Sequence, residues 1–158
     1  MNWKALGLMA ALALLGACTD TSNNGAATGT GASATTGGVT PGSQEDLVAN
    51  VGDRVFYALD SSSLSGDARS TMDRQAAWLA RYPQVSIQMA GDCDERGTSE
   101  YNLALGQRRA NAARDYLVAR GVSSARIVTI SYGKERPTAL GSDEQAYSQN
   151  RNAITSVR

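Results

Sequence analysis

The chain has 158 residues, enough for one domain, and its 15 basic residues balance its 15 acidic ones, so no global basic field draws it to nucleic acid. It contains no histidine, which removes the commonest general base and the commonest zinc ligand and weighs against an enzyme at the outset. All basic residues except Lys4 and Lys134 are arginine, a bias suited to planar, bidentate pairing with carboxylates and equally to ordinary surface ion pairs.

Lys4 precedes an apolar run from Ala5 to Leu15, well short of the roughly 20 residues needed to span a bilayer. Residues 1–17 therefore read as a signal peptide. The run ends in Leu15-Gly16-Ala17-Cys18, which resembles the bacterial lipobox and implies cleavage before Cys18 and acylation of that cysteine. Two or more acyl chains anchor a protein stably. Thr19 follows the cysteine where the lipobox resemblance would put Asp for inner-membrane retention, which directs the expectation to an outer-membrane anchor with the domain facing the periplasm. Residues 18–43 are almost wholly Thr, Ser, Asn, Gly and Ala, with Val39 the one large aliphatic side chain, and cannot bury enough apolar surface to fold. They are expected to form a flexible linker ahead of a domain at 44–158.

Within that domain Arg54 to Leu59 reads as a strand. Gly66 to Arg81 reads as a helix with Ala68, Met72, Ala76 and Leu79 on one face, blocked by Pro83. Val85 to Ala90 alternates as a second strand, Ser99 to Arg120 is a long helix stopped by Gly121, and Ile127 to Tyr132 is a third strand. Asp143 to Arg151 reads as a short helix and Ala153 to Val157 as a last strand. The order β-α-β-α-β-(α)-β predicts an α/β two-layer sandwich, with helices packed on a small mixed sheet.

On a wheel of the long helix, Leu103, Gly106, Ala110, Ala113 and Leu117 form the expected core stripe, its small residues letting the helix lie close to the sheet. Arg109 falls about 70° from that stripe and Arg108 nearly opposite it, so Arg109 is placed at a pocket edge and Arg108 in water. Asn102 shares the flank of Arg109.

The stretch Gly91 to Asn102 (GDCDERGTSEYN) admits three readings. A catalytic Cys93 needs a lowered thiol pKa and a base, and the neighbouring carboxylates would raise that pKa; a part-buried small residue is the simpler account. Asp92, Asp94 and Glu95 supply oxygens for a metal, but the spacing of a calcium loop is not met. A binding loop fits best, because it follows a strand end and opens a helix, where backbone N–H groups favour a carboxylate. Arg109 would hold that carboxylate bidentately and Asp94 an ammonium, which suits a zwitterion. The alternative is that Asp94 and Arg109 pair with each other. Glu95 and Arg96 are expected at the surface.

With these residues in view, the stretch from Val55 to about Val157 resembles the OmpA-like peptidoglycan-binding domain. The likeness is carried by FYALD (56–60), DERGTSEYNLALGQRRANAARDYL (94–117), SYGKERPTALG (131–141) and AYSQNR (146–151). It implies noncovalent binding of peptidoglycan through the meso-diaminopimelate of the stem peptide, with Asp94 and Arg109 as the signature acid and arginine and Asp60, Asn102 and Leu105 near the ligand. It also implies no cofactor, no enzymatic activity, and the periplasmic partners TolB and possibly TolA. A different cell-wall ligand on the same fold, or a periplasmic peptidoglycan hydrolase, are the alternatives.

Two departures from the family pattern stand out. The family reads Gly-His-x-Asp up to the signature acid, where this chain has Gly91-Asp92-Cys93-Asp94. The family also ends its last motif in a double arginine, where Asn152 follows Arg151 here. The first change adds a charge beside the pocket, and the second leaves open what replaces the missing arginine.

Overall fold

The computed structural model describes residues 38–158. The expected signal peptide, the expected lipidation site Cys18 and most of the expected linker lie outside the described residues. Among the described residues no helix is long and apolar enough to cross a membrane.

Helix α1, Gln44–Asn50, comes first and was not expected from sequence; Ser43 caps it by accepting the Asp46 N–H, and Leu47 is its fully buried anchor. Strand β1 follows at Arg54–Phe56 and helix α2 at Gly66–Arg81, the latter capped by Ser65 and bounded where the sequence placed it. Ala68, Met72, Ala76 and Leu79 all face the core. Next are β2 at Ile87–Asp92, α3 at Ser99–Ala119, a single 3-10 turn at Ser124–Arg126, β3 at Ile127–Gly133, α4 at Glu144–Asn150 and β4 at Asn152–Val157.

The sheet order is β1-β4-β2-β3, with β2 and β3 parallel and β4 antiparallel to both of its neighbours. Strand β4 thus inserts between β1 and β2, making β1-α2-β2 a split crossover, while α3 is the crossover between adjacent parallel strands. Helices α2 and α3 pack against each other and against the strands, and the core holds Met72, Leu79, Ile87, Met89, Ala110, Ala113 and Leu117. The expected two-layer α/β sandwich on a mixed sheet is what the chain forms.

Two expectations need correction. The first strand was expected to run to Leu59 but ends at Phe56, whose partner Asn152 is the first residue of β4. Beyond it the carbonyls of Ala58 and Ser61 turn toward a side chain instead of a neighbouring strand. Leu103 was expected in the core and is 54% exposed. The buried face of α3 comprises Asn102, Leu105, Gly106, Arg109, Ala110, Ala113 and Leu117, which leaves Leu103 about 90° from its centre at 100° per residue.

Close approach of α3 to the sheet depends on two glycines. A Cβ on Gly91 would fall inside the carbonyl of Gly106, and one on Gly106 would collide with Ser131 Oγ and the Gly91 carbonyl. With both Cβ atoms absent, the amino-terminal half of α3 rests on the end of β2, which brings Arg109 and Asn102 to the loop at 93–98.

Candidate functional site

A cavity of about 210 Å³ opens at the carboxyl end of β2. Its lining includes Asp60, Asp94, Asn102, Leu105 and Arg109, the five ligand-site residues expected from sequence, together with Arg96, Arg151 and Tyr101, which were not expected there. Three guanidinium groups and two carboxylates therefore border one small space, with Leu59 and Leu105 supplying apolar surface.

Arg109 departs most from expectation. It lines the cavity as expected but is fully buried, 0% exposed, and its guanidinium ties the loop after β1 to the end of β2. Nε donates to the Ser61 carbonyl at 2.8 Å, Nη1 to Asp92 at 2.9 Å and Nη2 to Ala58 at 3.1 Å. A guanidinium carries five N–H donors, and these three bonds engage one on each of its nitrogens. Burial lowers the pKa of Arg109, yet an arginine this hydrogen-bonded stays charged. Tyr57 lies under it, ring centre 5.3 Å from the guanidinium carbon, and its hydroxyl donates to the Arg109 carbonyl at 2.8 Å.

Asp94 and Arg109 do not pair, which sets aside the alternative of a simple ion pair between them. Asp94 is instead gripped by Arg96 and Arg151. Arg96 reaches it with its backbone N–H at 3.2 Å, with Nε at 3.1 Å and with Nη2 at 2.5 Å; Arg151 reaches it with Nη1 at 3.3 Å. Burial pushes the Asp94 carboxyl up, but the hydrogen bonds from Arg96 and Arg151 outweigh it and hold the group below its ordinary value. Arg151 also donates from Nε to the Tyr57 carbonyl at 3.1 Å and from Nη2 to Glu144 at 2.7 Å, joining β1, the binding loop and α4.

Asn102 clamps the loop: its amide donates to the carbonyls of Arg96 at 2.7 Å and Thr98 at 3.1 Å. Thr98 in turn caps α3 by accepting the Tyr101 N–H. Asp60 stands on the opposite rim. With φ of 53° it is, among the described residues, the one non-glycine in the left-handed region, a conformation Asp tolerates better than most. The Tyr101 hydroxyl donates to its Oδ1, so the loop after β1 is pinned to the start of α3. Glu95 and Arg96 are both exposed as expected; Glu95 accepts the Tyr147 hydroxyl at 2.8 Å, and the guanidinium of Arg96 pairs with Asp94 at the site.

The catalytic and metal readings of the loop find little geometry. Cys93 is 3% exposed, its thiol donates to the Asn102 carbonyl at 3.4 Å, and burial pushes its pKa up, away from a reactive thiolate. Asp92 and Asp94 serve different arginines, and among the described residues no three or more acidic or cysteine side chains converge.

The two departures from the family pattern lie at the ends of neighbouring strands. Gly91 pairs with Ala153 across β2 and β4, so Asp92 and Asn152 follow as the next residues on the two strands. Asp92 is 1% exposed, receives Arg136 at 3.2 Å on Oδ2 and carries an Oδ1 with no partner; Asn152 Oδ1 is likewise without one. Burial raises the Asp92 pKa, and Arg136 only partly opposes it. At the position after Arg151 the Asn152 amide donates to Gln149 O at 2.6 Å and Thr138 Oγ1 at 3.2 Å, holding the end of α4 and the loop before it.

Arg151 lay inside a motif but had no assigned role, because the acid it serves is 57 residues away. Arg96 gave no signal that distinguishes it from a solvated loop charge.

Residues 56–151 match the OmpA family. The chain is 53% identical to a peptidoglycan-associated lipoprotein of Rhizobium meliloti, over 98% of this chain and 86% of that protein. It is 42% identical to one of Haemophilus influenzae, over 96% and 95%. Among solved structures it is similar to the peptidoglycan-associated lipoprotein from Burkholderia pseudomallei, with TM-score 0.65, 43% identity, and 67% and 90% of the two chains covered. The C-terminal domain of Helicobacter pylori MotB, at 20% identity and TM-score 0.63 over 67% and 84% of the chains, shares the fold.

Proposed function

The chain belongs to the OmpA family, and from that premise we propose that it is a peptidoglycan-associated lipoprotein that grips the cell wall noncovalently through the meso-diaminopimelate of the stem peptide. The observation that carries the reading is a cavity bordered at once by the guanidinium groups of Arg96, Arg109 and Arg151 and by the carboxylates of Asp60 and Asp94. Diaminopimelate presents an ammonium and a carboxylate on one carbon, and the cavity has partners for both. Arg109 receives the carboxylate, and Asp60 and Asp94 face the ammonium.

The site is read as a binding module: its arginines and carboxylates match the two charges of the ligand, and the Cys93 thiol is buried. Acylation at Cys18 anchors the protein in the outer membrane, and the linker lets the domain reach the wall from the periplasmic side. As a member of the Tol–Pal system, with TolB and TolA as protein partners, it maintains envelope integrity, including in cell division. Calorimetry of the full chain with a stem peptide containing meso-diaminopimelate and with its lysine counterpart tests the ligand. Tighter binding of the diaminopimelate peptide is expected, and equal binding of both would remove diaminopimelate as the recognised group.

A further inference from the structure

Asp94 has no vacant acceptor position. A carboxylate offers about four lone-pair directions. Oδ1 takes the backbone N–H and Nε of Arg96, at 3.2 and 3.1 Å, and Oδ2 takes Nη2 of Arg96 at 2.5 Å and Nη1 of Arg151 at 3.3 Å. An incoming ammonium reaches Asp94 only by displacing one of these donors.

The two arginines differ in how firmly they are held. Arg151 is 7% exposed and keeps two further bonds, to the Tyr57 carbonyl and to Glu144. Arg96 has a side chain 39% exposed on a loop. Its guanidinium carbon lies 4.4 Å from the centre of the Tyr147 ring and its Nη1 3.6 Å from Glu144 Oε2, so it has a second resting place when it leaves Asp94. Tyr147 is itself fixed, through its hydroxyl, to Glu95 at 2.8 Å.

We propose that Arg96 is the residue that makes the pocket select a zwitterionic end over a plain amine. The proposal rests on the peptidoglycan reading and names the residue behind its specificity. A plain amine that displaces Arg96 exchanges a bidentate, charge-assisted pair for a single ammonium contact and leaves the guanidinium with a weaker partner at Glu144. A ligand with a carboxylate on the same carbon as its ammonium re-pairs the displaced fork, because guanidinium and carboxylate match in planar geometry. The side chain that blocks Asp94 in the empty pocket then closes over the bound ligand, stacked on Tyr147. Arg109 cannot perform this exchange, since three carbonyls hold it in place.

The test is calorimetry of the full chain with the meso-diaminopimelate peptide and the lysine peptide, on wild type, Arg96→Gln and Arg96→Lys. Wild type is expected to prefer the diaminopimelate peptide, and Arg96→Gln to narrow that preference by about tenfold or more, a change of about 1.4 kcal/mol, chiefly by gaining affinity for the lysine peptide. Arg96→Lys still blocks Asp94 with a charge but has no fork, so it should weaken the diaminopimelate peptide without gain for the lysine one. An unchanged preference in Arg96→Gln, or an equal loss for both peptides, overturns the proposal and leaves Arg96 a loop-ordering residue. Binding of neither peptide by wild type overturns the peptidoglycan reading and the proposal with it, whereas a wild-type preference that survives in Arg96→Gln overturns the proposal alone.

Discussion

Asp92 on β2 and Asn152 on β4 each bury a side-chain oxygen that has no hydrogen-bond partner among the described residues, and they follow directly on the last antiparallel pair, Gly91 with Ala153. Two acceptors brought to the ends of neighbouring strands call for a donor. Replacing Asp92 by Asn supplies an N–H there and removes a buried charge, at the cost of the ion pair to the half-exposed Arg136. Asp92→Asn is therefore expected to stabilise the domain at neutral pH by about 1–3 kcal/mol, the usual cost of an unsatisfied buried polar group. Urea unfolding at pH 7 measures it, and a less stable variant would show that the charge on Asp92 is needed.

The same group sets a pH dependence of unusual sign. Its pKa is raised in the folded state by burial, so the folded chain binds the proton more readily than the unfolded one. Stability from Asp92 is lowest above its folded pKa. It rises as pH falls through that value toward the ordinary 3.8 of the unfolded chain. Asp94, two residues on, acts oppositely: its folded pKa lies below 3.8, so its contribution is present above that value and is lost as pH falls through the folded pKa. Unfolding free energies measured across the acid range should show Asp92→Asn losing the rise and Asp94→Asn losing the fall; identical profiles for the two variants would contradict the assignment.

Arg151 holds three elements at once, through the Tyr57 carbonyl, Asp94 and Glu144. Truncating it leaves Asp94 buried with Arg96 as its remaining partner. Arg151→Ala is expected to lose on the order of 2–3 kcal/mol, the range for hydrogen bonds to charged groups. Thermal denaturation reads this, and a transition unmoved by the substitution would mean that Arg151 is a spectator.

Gly106→Ala would ordinarily favour a helix. Here the added methyl meets the Gly91 carbonyl and Ser131 Oγ, so overpacking of about 1–3 kcal/mol should dominate and lift α3 from the sheet. A denaturation midpoint above that of wild type would show that the helix has more room than this packing allows.

How far the sequence disclosed these features follows from how local each is. The bounds of α2 were legible because Pro83 blocks the helix locally and the apolar spacing from Gly66 on fits one helical face. Helix α1 was missed because two turns carrying a single buried leucine make no periodic pattern. Arg109 was singled out by its flank of α3, but its burial was not, since its partners come from loops at 58–61 and from Asp92. The placing of Asp92 and Asn152 at the ends of neighbouring strands depends on β4 inserting between β1 and β2, a strand order that composition and spacing do not encode. Arg96 was read as a surface charge and is exposed, but its pairing with the acid two residues before it left no local signal.

The central claim is that this cavity binds peptidoglycan through a carboxylate-binding arginine and an ammonium-binding aspartate. The most direct measurement is cosedimentation of the full chain with purified sacculi, for wild type, Asp94→Asn and Arg109→Lys, with a thermal transition recorded for each to confirm folding. The account predicts binding by wild type and a loss of about tenfold or more in each folded variant, the scale of one charge-assisted contact. Wild-type binding retained in full by both variants would contradict it.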